Sequence, residues 1–233
     1  MGESVTFIYQ HLGMGDHIIC NGLIRELINQ TTPYIMFVQP QHRESVVQMY
    51  RDLNNMNYVS DDHRLFPFYL SRAGIRMDGN DPRLLMIGWK DWIVDNSMSF
   101  EWNFYRSKGV PFEKKWSAFK TNRNTKAESE IWNKANVKSD YVFVHDDERF
   151  PIDSNKLPQN VRIIKPNLGD PSIFNYSHII ENAQSVHCIE SSFAFMIDAM
   201  NLNKNFVIHR YARKHKQPSF DLPMYKSVSQ ILT

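Results

Sequence analysis

Apolar residues along this chain recur at two spacings, and the two alternate. Residues 4–10 form a short β-branched and aromatic run, a strand pattern that ends at a glycine-rich turn. Beyond the turn Ile18, Ile19, Gly22, Leu23 and Leu27 return at intervals of three and four, which predicts a helix. Residues 34–38 predict a second strand stopped by Pro40. Residues 41–54 predict an amphipathic helix carrying Val46, Val47, Met49, Tyr50 and Leu53, and 56–59 a third strand. From 84 to 119 aromatic residues crowd in, among them Trp89, Trp92, Trp102, Phe104 and Trp116, and this stretch is expected to be irregular or helical. The polar stretch 120–126 reads as a linker, followed by a helix over 125–135. Strands are then expected at 141–145, 161–165, 185–189 and 206–209, with helices at 173–183, 193–200 and 222–232. Short strands alternating with helices indicate a parallel sheet covered by helices. The alternation runs twice. The expected fold class is therefore α/β, with two Rossmann-like halves, residues 1–119 and 120–233, and a cleft between them.

Composition narrows the function classes. The net charge is only +2, with Lys and Arg scattered, which argues against a nucleic-acid-binding surface. The aromatic share of 13% supplies bulk for two modest cores, or for one core and a ligand-lining wall. Cys20 and Cys188 each lie in an apolar stretch, so both are expected to be buried, reduced thiols, as suits a reducing compartment. No apolar run approaches the roughly 18 residues that span a membrane. The N-terminus turns strand-like at once, without a signal-peptide pattern. A cytoplasmic location is the expectation.

Two strand-to-helix turns carry candidate chemistry. In the first, Gln10-His11-Leu12-Gly13-Met14-Gly15-Asp16-His17, Gly13 and Gly15 let the backbone turn tightly and approach a ligand. Ile18 stands where a dinucleotide fingerprint needs a third small residue, and no Gly-Lys-Ser/Thr occurs, so neither phosphate motif is complete. Asp16 at the helix start would repel a diphosphate. It is either an N-cap or a functional acid. The second turn is Cys188-Ile189-Glu190-Ser191-Ser192-Phe193, where two hydroxyls and free N–H groups suit a phosphate and Glu190 suits a sugar or ribose. Arg149, Arg210 and Arg213 follow other strands of the same half, and His145 ends one of them. A guanidinium is the usual partner of a diphosphate. Asp146 and Asp147 are adjacent on a turn, where two carboxylates point apart, and no metal site is expected.

The segment Gly13-Met14-Gly15-Asp16 with the following Asn21-Gly22-Leu23-Ile24-Arg25-Glu26-Leu27 resembles the N-terminal motif of heptosyltransferase-type glycosyltransferases. The run Cys188-Ile189-Glu190-Ser191-Ser192-Phe193-Ala194-Phe195-Met196-Ile197-Asp198 resembles their donor-binding turn. Its Ser-Ser-Phe is also similar to the diphosphate-contacting turn of GDP-fucose-dependent fucosyltransferases. The resemblance implies a GT-B fold, with the acceptor mainly on the first domain and a nucleotide-diphosphate sugar mainly on the second. The activity expected is an inverting, metal-independent hexosyl or deoxyhexosyl transfer to a hydroxyl of a glycan or small molecule, with no cofactor beyond the donor. Asp16 is then the general base, with Gly13, Gly15 and His17 around it, and His11 and His17 are the competing bases. The donor is held by Ser191, Ser192 and Phe193 with His145, Glu190 and one or more of Arg149, Arg210 and Arg213. The rival expectations are a nucleotide-sugar-binding protein without catalysis and a nucleotide-sugar-modifying enzyme such as an epimerase.

Overall fold

The computed structural model describes residues 5–78, 80–88, 98–213 and 223–233. Trp89 and Trp92 of the aromatic stretch lie outside the described residues, as do Lys214, His215 and Lys216. The chain divides into two compact units, Met1–Asn122 and Arg123–Thr233. Each is built on an all-parallel sheet. No helix among the described residues is long and apolar enough to cross a membrane.

The first unit holds β1 (Thr6–Gln10), β2 (Tyr34–Val38), β3 (Met56–Ser60) and β4 (Leu84–Ile87) in the order β3-β2-β1-β4. Alternation sends Tyr9, Phe37, Leu84 and Met86 to one face, where they pack with Phe66 and Leu70 of α4 (Phe66–Arg72). The remaining helices are α1 (Met14–Ile19), α2 (Asn21–Leu27), α3 (Arg43–Tyr50), α5 (Phe100–Ser107) and α6 (Lys114–Ser117). Gly22 is where α2 meets α6. A Cβ there would stand 2.0 Å from the Lys114 carbonyl oxygen, so no larger residue fits. Strand β4 corrects the expectation of irregular or helical structure after residue 84. Leu84-Leu85-Met86-Ile87 is a short unbroken apolar run, the form a strand takes when helices cover both faces, and it shows no alternation to detect.

The second unit opens with α7 (Thr125–Ala135), capped by the Asn124 side chain and closed by Asn136 in the left-handed region. Strands β5 (Tyr141–His145), β6 (Arg162–Ile164), β7 (Ser185–Cys188), β8 (Phe206–His209) and β9 (Gln230–Leu232) lie in the order β6-β5-β7-β8-β9. Helices α8 (Ser177–Glu181) and α9 (Ser192–Met200) complete it. On one face Phe143 packs against Phe193, which also meets Tyr176 edge-on. Of the helix expected over 222–232, the described residues 223–232 form none, and β9 pairs with β8 instead. The reason is local. Asp198, buried on α9, takes the N–H groups of Lys226 and Ser227 at 2.7 Å each. The Phe206 carbonyl takes the Ser229 N–H, so the amides a helix would need are already committed. Both cysteines are free and buried.

Candidate functional site

In an open parallel sheet, ligands bind outside the carboxyl ends of the strands, where the strand order reverses. The order of the first sheet reverses between β1 and β4, and that of the second between β5 and β7. Each of the two candidate turns follows one of these strands, so each unit presents one at its reversal point.

In the first unit a histidine bridges the reversal. His11, one residue past β1, makes a hydrogen bond through Nε2 to the carbonyl of Gly88, one residue past β4. Its ring meets Phe104 edge-on at 5.3 Å. Gly88 has φ +77°, and a Cβ there would lie 2.6 Å from the Phe104 ring and 3.0 Å from His11, so only glycine fits. Helix α1 starts at Gly13 without a side-chain cap, and Asp16 is its third residue. The N-cap alternative for Asp16 is thereby excluded. Its carboxylate leans back over Gly13 instead, where an added Cβ would lie 2.8 Å from Oδ2.

A cavity of about 400 Å³ opens here, lined by His11, Leu12, Gly13, Asp16, Gln39 and His63. Burial raises the pKa of Asp16 above the ordinary carboxylate value, while His11 and the amides of Gly13 and Asp16 pull it back. A carboxylate more basic than usual beside a cavity suits proton abstraction. Gln39 and His63 were not foreseen. Both follow strands β2 and β3 at the same edge, which is the positional signal that would have found them. His17, expected beside the cleft, is fully buried and turned to the Gln10 side-chain amide. Desolvation, with a smaller contribution from His42, lowers its pKa to about 3. It belongs to the core and is excluded as a competing base. Gly15 lies in the first turn of α1.

In the second unit Ser191 caps α9, its Oγ accepting the Ala194 N–H at 3.5 Å, and the same oxygen lies 3.0 Å from Nδ1 of His145. The contact spans the reversal between β5 and β7. Burial lowers the pKa of His145 to about 4, against the pull of Asp146 and Asp147. The imidazole is therefore neutral at pH 7, and Nδ1 can accept the Ser191 O–H. Its ring stacks on Phe193 at 4.5 Å. Phe193 thus serves the core through its side chain and offers only its backbone N–H to the helix start. Ser191 sits in ordinary extended backbone, φ −158° and ψ 174°. It lacks the strained turn of a hydrolase nucleophile, so the Ser191–His145 pair is a positioning contact rather than a nucleophile and base.

The expected sugar ligand Glu190 is only 1% exposed and has another task. Its carboxylate accepts from Arg210 at 2.8 Å, and its carbonyl accepts from Arg213. Two guanidiniums are thus held against the residue that precedes Ser191. Arg149 does not join them in this way. It is 77% exposed, and Asp147, two residues earlier, takes both its N–H and its guanidinium, folding it along its own loop. It borders a separate cavity of about 410 Å³ with Phe150, Asp153 and Tyr211. Asp146 pairs with Lys165 at 2.6 Å. Among the described residues no group of three or more His, Cys, Asp or Glu side chains is arranged to hold a metal ion.

No protein-family model matches the chain, and no curated protein or solved structure is significantly similar to it.

Proposed function

We propose that the protein is a glycosyltransferase that binds a nucleotide-diphosphate sugar on its second unit and an acceptor hydroxyl on its first. The observation that carries this reading is the cluster after β7. A helix start bearing two serines lies at the reversal point, and Glu190 tethers Arg210 and Arg213 beside it. Free N–H groups and guanidinium donors together match a diphosphate. They would also stabilise the charge that builds on it as the glycosidic bond breaks. In this reading Asp16 takes the proton from the acceptor hydroxyl. The acceptor oxygen bonds to the anomeric carbon as the bond to the diphosphate breaks, and attack from the opposite face inverts that carbon. The pair of basic side chains replaces the divalent ion that other glycosyltransferases use.

A thermal-shift screen of nucleotides and nucleotide sugars tests binding. A true donor at a hundredfold excess over its Kd stabilises the protein by about 2.7 kcal/mol. Donor hydrolysis or transfer, measured with and without EDTA, then tests the chemistry. Turnover that survives chelation is the expected result. Turnover lost to EDTA and restored by manganese overturns the metal-independent mechanism. Binding without any turnover replaces the enzyme by a nucleotide-sugar-binding protein.

A further inference from the structure

Beside Val144, four side chains of the second unit form an unbroken hydrogen-bonded row. Ser185 Oγ lies 3.1 Å from His187 Nε2, His187 Nδ1 lies 2.9 Å from His209 Nε2, and His209 Nδ1 lies 3.1 Å from the Tyr211 hydroxyl. The Tyr211 oxygen also accepts the Asp153 N–H at 3.1 Å. Both imidazoles are buried. The row ties β7 and β8 to the turn Arg210–Arg213, and that turn carries the two guanidiniums bound to Glu190.

Proton counting shows what such a row can hold. Two neutral imidazoles have two ring N–H groups, one of which must sit in the His187–His209 bond. The other points outward, to Ser185 or to Tyr211, and the hydroxyl at the opposite end donates inward. Every nitrogen is then satisfied. One added proton is also accommodated, because both outer nitrogens then donate, one to Ser185 Oγ and one to the Tyr211 oxygen. A second proton is not. It sets N–H against N–H across 2.9 Å, with two positive charges in contact.

We propose that His187 and His209 form a single proton-binding site that pins the turn Arg210–Arg213, taking up one proton intact and opening when a second is forced upon it. The charged groups facing the pair are Lys156, whose ammonium lies 3.8 Å from the centre of the Tyr211 ring, and Asp153. Strand β9, paired with β8, brings no ionisable side chain. Burial holds both imidazoles below their ordinary value. For His209, which falls to about 4, His187 and Lys156 add to the effect and Asp153 opposes it. The row is neutral at pH 7, and acidification works against the pinned turn. This device stands whatever reaction the protein performs, because it needs no ligand.

The test is an NMR titration of the histidine side chains in the full chain, from about pH 8 downward. Coupled sites titrate in macroscopic steps that belong to the pair. His187 and His209 should therefore both report the same two steps, separated by more than about 1 pH unit. The amide signals of Arg210, Tyr211 and Arg213 should move with the second step. His187→Asn keeps a hydrogen-bonding group toward His209 without a second titrating ring, and there His209 should titrate in one step. Two independent single-step titrations in the wild type would overturn the proposal. So would a turn whose signals ignore the second step, or loss of the folded spectrum at the first. If His187→Asn does not fold, the wild-type titration decides alone.

Discussion

The Tyr105 hydroxyl donates to the Ile19 carbonyl at 2.8 Å and, through the same oxygen, accepts the Leu23 N–H at 3.1 Å. It occupies the place of the Ile19–Leu23 i→i+4 bond that a single helix running through α1 and α2 would make. A side chain inserted into the helical ladder is a recognised cause of a break. Here the break falls at Cys20 and sets the direction of the short helix that carries Asp16.

Tyr105→Phe should accordingly leave a buried carbonyl and a buried N–H without their partner. The expected loss is about 1–3 kcal/mol, read as a lower urea midpoint for the first unit. If the helices instead close onto the direct bond, stability returns but the Asp16 carboxylate moves and turnover falls. A variant unchanged in both stability and turnover would show that the hydroxyl has no role in placing α1.

Asp16 can be separated into base and structural residue by two substitutions. Burial raises its folded pKa, so the folded state disfavours the ionised form that a general base needs. Asp16→Asn should thus be at least as stable as wild type at pH 7 while losing turnover by roughly 10²–10⁴. Gly13→Ala should do the same by another route, since its Cβ would meet Oδ2 at 2.8 Å and push aside only a flexible side chain. Near-normal turnover in Asp16→Asn would end the general-base reading. Since His17 is buried, His11 would be the residue to test next.

Much of the fold was legible in the sequence because the elements that announce themselves are those with one strong local cause. Helix α7 has its Asn124 cap and Asn136 stop, and β5 and β8 are dense β-branched and aromatic runs. What was missed depends on distant partners. Strand β4 is defined by its pairing with β1, and the C-terminal segment by Asp198, which lies 28 and 29 positions from the amides it binds. The site divides the same way. The two turns could be read from their glycines, serines and acids, whereas the burial of His17 and the capture of Glu190 by Arg210 are tertiary facts with no local signature.

The Glu190–Arg210 pair makes a quantitative prediction. Glu190 is almost wholly buried, and its partner keeps 18% side-chain exposure. Arg210→Ala removes this guanidinium from a buried carboxylate, and breaking one side of a buried pair costs about 3–5 kcal/mol. The lower end is expected, because Arg210 retains some solvent contact. Adding Glu190→Gln should recover most of the loss while leaving anion binding weak, since the guanidinium is still missing. Equal stability of the single and double variants would mean that the pair is not the anchor of the turn.

Acid stability offers the last and broadest check, because it reads several buried imidazoles at once. His17, His145 and His209 are held to about 3, about 4 and about 4, in each case mainly by desolvation. The unfolded chain binds protons at these positions near pH 6.5, but the folded chain does not. Stability from them is therefore complete above about pH 6.5 and drains away as the pH falls toward the folded values. Both units should weaken from about pH 6 downward, ahead of the loss expected from ion-paired carboxylates such as Asp81, held by Arg83 at about 2. Denaturant midpoints measured at successive pH values should show this early slope in both units. His17→Gln cannot titrate and keeps an amide toward Gln10, so it should flatten the slope of the first unit alone. Asp16 works in the opposite direction, because a carboxyl with a raised folded pKa gains stability as the pH drops through that value. Asp16→Asn should then steepen the slope of the first unit. A wild-type profile that stays flat down to about pH 4.5 would show that these imidazoles reach protons without opening the fold.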